Sequence, residues 1–351
     1  MEYRVLIYGA NGYTGKLITR EAKYRGIQVE IAGRNVKAIQ SLSKETGFSY
    51  HIVQLSETTQ LENLLKYFDA VLHCAGPFSE TAIPMVKACI NSKTHYLDIT
   101  GEIWVFEDIM KYHEQAKKSG IALLPGVGFD VVPTDCLAAH LKEKLPTATS
   151  LELSFVGSNT GMSRGTAVTM AKNISKGDFI REKRQIKNVP LAYDVKEFKF
   201  SHRSQWCMTI PWGDLMTSYH QTKIPNIKVF SGASFKMIDK IKKFRKLKFL
   251  LGIGWIQKLV RAKIENSITG PNDENLKSGK TYVLGKVSDE EGNNYSAELI
   301  TPEAYFLTAK TALSSALKLQ NMEVIGYLTP AQAFGKDFVL EFEDVERIDR
   351  A

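Results

Sequence analysis

Sulfur, long apolar runs and the short signatures of hydrolytic chemistry are all scarce in this 351-residue chain. Its four cysteines, Cys74, Cys89, Cys136 and Cys207, are scattered and form no C-x-x-C pair. They read as small buried hydrophobes in a reducing compartment, not as disulfides or metal ligands. No stretch reaches the roughly 18 consecutive apolar residues that a membrane-spanning helix needs. The first strand-like run starts close to the beginning of the sequence and leaves no room for a signal or transit peptide, so the cytoplasm is the expected compartment. H-E-x-x-H is absent, G-x-S-x-G occurs once (161–165), and the seven histidines are dispersed. No zinc site is therefore expected, and no metal at all. Internal repeats and low-complexity segments are missing as well.

What remains is an apolar, moderately basic chain. With 44% hydrophobic residues it can bury a sizeable core, and its length suggests two domains. The formal net charge of +8 suits a polyanionic ligand such as a phosphorylated cofactor, and equally an anionic membrane surface. Nucleic acid is not expected, because neither zinc spacing nor the aromatic-plus-basic pattern of an RNA-binding sheet is found.

The chain is organised around its first glycines. An apolar run, Val5–Tyr8, ends at Gly9, and a helical pattern begins within a few residues, with Ala10, Asn11, Gly12, Tyr13, Thr14 and Gly15 between and across the two. A strand that turns sharply into a helix presents backbone N–H groups and the positive end of the helix dipole to a pyrophosphate. Spacing separates the possible owners. A Walker loop would need glycine at Ala10 and Ser or Thr at Leu17, so it fails twice. The common G-x-G-x-x-G fingerprint fails at Asn11. The motif is G-x-x-G-x-x-G, a variant found in several nicotinamide-enzyme families.

Through residue 125 strand-like and helical runs alternate, with helices over 13–24, 35–46, 57–67, 79–91 and 102–118, which argues for a parallel sheet with helices on both faces. NAD-binding domains usually carry Asp or Glu at the end of the second strand. Here that position falls in Gly33, Arg34 and Asn35; Glu30 comes too early, and the planar fork of Arg34 suits a 2′-phosphate. NADP(H) is the expected cofactor, against the plainer reading that Arg34 only faces solvent near the next helix. Three later strand ends also look specialised: Ala75, Gly76, Pro77 and Phe78; then Asp98 to Glu102; then Gly126 to Asp130, running on to Asp135. Asp98, Glu102 and Asp130 are the candidate acid–base groups. Each of them, and Asp135, also lies where a helix-capping role would account for it.

Near residue 146 the pattern changes. Strand-like runs at 150–156, 195–200, 205–210, 215–222, 227–230, 281–287 and 294–300 suit a second α+β domain with a mostly antiparallel sheet. Ser163, Arg164, Gly165 and Thr166 open a helix there and are the candidate substrate contacts. The division expected is 1–130 for the Rossmann-type domain, with 302–351 packing back onto it, and 131–301 for a substrate or oligomerisation domain. Lys236–Lys263 is basic in its first half and apolar in its second, which fits either an interfacial membrane segment or, more plainly, a solvated helix followed by a packed one.

Taken together, the glycine stretch, Ala32–Gly33–Arg34, Ala75–Phe78, Tyr96–Glu102, Gly128–Asp130, Ser163–Thr166, Pro211–Asp214, Gly270–Pro271 and Leu328–Gly335 resemble the saccharopine dehydrogenase-like oxidoreductases, including the trans-acting enoyl reductase group. The resemblance implies an NADP-binding Rossmann domain, a second α/β domain and hydride chemistry, without fixing the substrate. The family's second-domain opening, with two consecutive glycines, has Arg164 in place of the first. A short-chain dehydrogenase is not favoured. Its Tyr-x-x-x-Lys pair is matched at Tyr219/Lys223 and Tyr282/Lys286, but both sit in strand- or loop-like stretches of the second half. Two readings follow: an NADPH-dependent oxidoreductase acting on a C=C, C=N or C=O of a small or acyl substrate, with a homodimer allowed, or a non-catalytic NADP-binding protein held peripherally at a membrane by 240–256. A true saccharopine-forming enzyme would need carboxylate-binding arginines, for which Arg164, Arg181 and Arg203 are available.

Overall fold

The computed structural model describes residues 3–158, 163–173, 176–245 and 270–350. The chain divides into two compact units, Met1–Val132 with Tyr305–Gly335, and Pro133–Ala304 with Lys336–Ala351.

The first unit is built on a seven-stranded parallel sheet. Its strands are β1 (Val5–Tyr8), β2 (Glu30–Gly33), β3 (Tyr50–Ile52), β4 (Ala70–His73), β5 (His95–Asp98), β6 (Ala122–Leu124) and a late strand, Gly326–Tyr327. Their order is β3-β2-β1-β4-β5-β6 with Gly326–Tyr327 at the far edge beside β6. Strand order reverses between β1 and β4, the switch point at which open α/β sheets bind ligands. Successive strand residues face opposite ways. Thus Val5 and Ile7 join one buried cluster with Ile18, Ala22, Ile39 and Leu313, while Leu6 and Tyr8 join another with Leu61, Met85, Val86 and Ile109. Both faces are covered, which is why these strands read as continuous apolar runs. The expected 102–118 helix is two helices, Ile103–Met110 and His113–Ser119. The chain breaks between them and His113 Nδ1 accepts the Tyr327 N–H at 3.0 Å, fastening the late strand.

The second unit holds a nine-stranded sheet. Ser150–Ser158 pairs parallel with Asn226–Gly232 and antiparallel with Lys280–Ser288, which continues through a hairpin to Asn294–Pro302. The hairpin turns at Gly292 (φ +88°), and Asp289 accepts the N–H groups of Glu291 and Asn293. One expectation is corrected. Residues 215–222 form a helix, Asp214–Thr222, not a strand. Its buried positions Asp214, Leu215, Thr217, Ser218 and Thr222 follow the helical period, which a Thr- and Tyr-containing run disguised. A hairpin of Asp178–Glu182 and Gln185–Val189 was not anticipated. Of the Lys236–Lys263 stretch, the part through Arg245 is described and begins with the helix Phe235–Phe244; residues 246–263 lie outside the described residues.

The chain's last residues belong to this second unit rather than beside the first sheet. Glu346–Arg350 pairs with Asn294–Pro302, and Arg350 forms an ion pair with the fully buried Glu298. Glu298 also accepts from the Ser201 N–H and hydroxyl at 3.1–3.2 Å. Removing one partner of a buried pair leaves a poorly compensated charge. Because Arg350 is partly solvated and Ser201 remains, Arg350→Ala should cost about 2 kcal/mol, below the roughly 3–5 kcal/mol of a fully buried pair, read as a drop in the urea midpoint.

Candidate functional site

The switch point in the first unit is shaped by glycines that cannot be replaced. Gly9 takes φ +79°, and a Cβ there would lie 2.7 Å from the Ala75 nitrogen. At Gly15 a Cβ would meet the Gly9 carbonyl oxygen at 2.5 Å. The loops after β1 and β4 therefore touch backbone to backbone, and the helix Tyr13–Tyr24 starts directly behind them. Gly12 caps it without a side-chain bond and no acid occupies its first turn, so the positive end of the helix is not offset by a nearby carboxylate. Gly33 has the same logic: a Cβ would lie 2.9 Å from Asn11 Oδ1 and 3.1 Å from the Ile39 side chain. The cradle and the end of β2 are thereby packed together.

At that strand end the charge pattern is decisive. Glu30, the nearest carboxylate on β2, is bound by Arg4 and lies 2.7 Å from His51 Nε2. Asn35 caps the next helix by accepting the Ala38 N–H at 3.1 Å. Arg34 is exposed and makes no ion pair among the described residues. So capping is the work of Asn35, and Arg34 is left available to an anion.

The loop after β4 is held from two sides. Thr81 Oγ1 donates to the carbonyls of Ala75 and Pro77 at 2.6 and 3.1 Å. The Glu102 carboxylate accepts the Phe78 N–H at 2.9 Å, at the start of the helix Phe78–Ser92. Glu102, read from sequence as an acid–base candidate, is placed as a long-range cap.

Asp98 and Asp130 share a chemistry and differ in setting. Asp98 is fully buried and accepts from Tyr96 Oη at 2.6 Å and from the Thr100 and Gly126 N–H groups at 2.9 Å each. Burial nevertheless raises its carboxyl to about 6. Asp130 retains some exposure, and the protein enclosing it pushes its carboxyl up to about 7. A Cβ on Gly101 would lie 2.6 Å from Asp130 Oδ2, so that glycine makes room for the carboxylate. The loop carrying Asp130 is anchored by the helix Ala304–Lys318: Thr308 Oγ1 accepts the Phe129 N–H at 2.9 Å and Thr311 Oγ1 donates to the Val127 carbonyl at 2.9 Å. The same helix brings Tyr305 edge-on to Tyr13, with ring centroids 5.1 Å apart.

One residue escaped the sequence reading. His73 ends β4, fully buried against Tyr8, Phe78 and Tyr96, and neither ring nitrogen has a partner among the described residues. Burial pushes it down to about 3, so it stays neutral at physiological pH. Its place at a strand end was the available signal.

In the second unit Ser163 Oγ accepts the Thr166 N–H at 3.2 Å and lies 3.0 Å from Thr166 Oγ1, starting the helix Arg164–Asn173. Arg181 is buried and donates to the Leu215 carbonyl at 2.7 Å and to the Arg184 carbonyl, with its guanidinium 4.1 Å from the Tyr219 ring. Those Arg181 donors are spent inside the protein, while Arg164 and Arg203 are exposed. Tyr219 lies on a helix, contrary to the strand-like context expected, but in the second unit rather than on the dinucleotide sheet. No group of three or more metal-ligating side chains is found among the described residues, and no helix among them is long and apolar enough to cross a membrane.

Residues 5–124, which include the whole cradle, Arg34 and Asp98, match the family model described as the saccharopine dehydrogenase NADP-binding domain. The chain carries a saccharopine dehydrogenase-type NADP-binding domain. NADP(H) is the cofactor of that domain, and the cradle fits it: glycines where a Cβ would fill the space, and a cation at the β2 end. Among relatives, the saccharopine dehydrogenase-like oxidoreductase of Mus musculus is 32% identical over 182 residues, covering 45% of this chain and 42% of that protein. The trans-acting enoyl reductase of Mycobacterium ulcerans is 28% identical over 148 residues, covering 40% and 35%. The chain thus matches less than half the length of either relative. Saccharopine dehydrogenase (L-Glu forming) from Saccharomyces cerevisiae superimposes over all of both chains with a TM-score of 0.71 at 12% identity, a likeness of fold.

Proposed function

We infer that the protein is an NADP(H)-dependent oxidoreductase that moves a hydride to or from a C=C, C=N or C=O of a small or acyl substrate. The observation that carries this reading is the end of β2, where Glu30 is engaged by Arg4 and His51 and Arg34 faces solvent beside a glycine cradle. When bound, NADPH supplies the hydride. The backbone of Gly9–Gly15 holds the pyrophosphate, Arg34 pairs with the 2′-phosphate, and Ala75–Phe78 borders the nicotinamide. Hydride addition to one end of the double bond leaves negative charge at the other, which takes a proton from Asp130. Its raised pKa matches that task.

The test begins with binding. Arg34→Ala should weaken NADPH about 10- to 100-fold, the value of a lost charge-assisted hydrogen-bonded pair, while NADH binding stays within about twofold. Equal loss for both cofactors would refute the assignment of Arg34. Purified protein is then offered NADPH with enoyl thioesters, with preformed imines and with aldehydes or ketones, following NADPH absorbance. Oxidation with one class and not the others is the expected result; NADPH binding with no oxidation by any class would favour the non-catalytic reading.

A further inference from the structure

The helix Phe235–Phe244 and the strand Ser204–Thr209 expose an apolar cluster set among lysines. Phe235 is 63% exposed, Met237 51% and Trp206 39%, although neighbouring Ile238 is buried. Phe235 meets Trp206 edge-on, with ring centroids 5.8 Å apart, so an aromatic pair on two different elements stands at the surface. Ser234 starts the helix by accepting the Met237 N–H at 3.3 Å, which fixes Phe235 and Met237 in its first turn. Lys236, Lys240 and Lys242 are exposed and form no ion pair with any carboxylate among the described residues. Lys243 is different, being tied to Asp239 at 2.7 Å. The other acid at hand is Glu197, which lies opposite Trp206 in the sheet register, so positive charge dominates the patch.

Scattered exposed hydrophobes are ordinary, but an aromatic pair and a methionine ringed by unpaired lysines are not. Aromatic side chains with an apolar body and a polar edge settle at the headgroup level of a bilayer, and lysines beside them are drawn to anionic lipid. We propose that this patch docks the second unit onto an anionic membrane surface, with Trp206, Phe235 and Met237 entering the interface and Lys236, Lys240 and Lys242 facing acidic headgroups. Charge complementarity favours lipid over a neutral protein partner. The exposed rings favour it over nucleic acid, which lysines alone would serve. The proposal does not rest on the oxidoreductase reading.

Full-length protein is sedimented with phosphatidylcholine vesicles and with phosphatidylcholine–phosphatidylserine vesicles. It should bind the second at least about tenfold more strongly, less so as salt is raised. Phe235→Ser with Met237→Ser, and separately Lys236→Glu with Lys240→Glu and Lys242→Glu, should each lower that binding about tenfold or more while leaving NADPH binding and the urea unfolding curve unchanged, which verifies folding of both units. A blue shift of tryptophan emission on adding anionic vesicles should be reduced in Trp206→Phe. Failure of the wild type to sediment, equal sedimentation with both vesicles, or wild-type binding by either multiple variant would overturn the proposal. So would equally strong capture by a duplex oligonucleotide without a Trp206-dependent shift.

Discussion

Asp130→Asn should lower the rate of substrate reduction about 100- to 10,000-fold, the usual worth of a positioned general acid, and leave the NADPH dissociation constant within about threefold. The side chain is nearly unchanged in size, and the loop that carries it is held by Thr308 and Thr311. The effect therefore isolates the proton. The acid must be protonated to act, and its carboxyl is raised to about 7 by burial. The wild-type rate of reduction should accordingly fall as pH rises through about 7, and the residual rate of the variant should lose that limb. A variant that keeps its rate, or a pH limb that survives in it, would move the proton donor elsewhere. Glu102 would not be the next choice, because its carboxylate is occupied at the Phe78 N–H.

The same loops show what a single sequence discloses and what it withholds. The cradle was legible because its constraints are local: each glycine answers a clash a few residues away or across one strand. Arg34 was legible because its place is counted from the end of a strand. The alternating pattern located every strand of the first sheet through β6, since both faces are covered and apolar runs mark such strands. The roles of the carboxylates were not legible. Glu102 reaches back 24 positions to Phe78, and the Phe129 N–H is satisfied from Thr308, 179 positions later. Nothing in a motif tells a buried, fully bonded Asp98 from a partly open Asp130. The run at 215–222 misled for the opposite reason: its residue types favour strand locally, while the spacing of its buried positions is helical, and packing against the sheet outweighs weak propensity.

Asp98→Ala should destabilise the first unit by about 3–6 kcal/mol, because it strands two buried N–H groups and one hydroxyl at roughly 1–3 kcal/mol each, with some relaxation. Those donors belong to Thr100, Gly126 and Tyr96, so the ends of β5 and β6 lose their common acceptor and NADPH binding falls with the fold. Asp98→Asn is the informative companion. Its carbonyl oxygen can accept both N–H groups and the Tyr96 hydroxyl can turn to accept from the amide, so most of the stability should return. The pH dependence carries the rest of the argument. The carboxyl of Asp98 is raised by burial to about 6, above its value of about 3.9 in an unfolded chain. Its contribution is thus fully present below about pH 4 and is lost as pH rises through about 6. His73 acts in the other direction: held at about 3 against its ordinary 6.5, it costs stability as pH falls below about 6.5. Only the difference between wild type and Asp98→Asn cancels that background. Urea unfolding at steps from pH 4 to pH 8 should show wild type losing ground to the Asn variant between about pH 4 and 6, with a constant gap above. If Asp98→Asn instead keeps its stability at every pH but abolishes reduction, Asp98 is the proton donor, and the closed hydrogen-bonded setting around it must open during turnover.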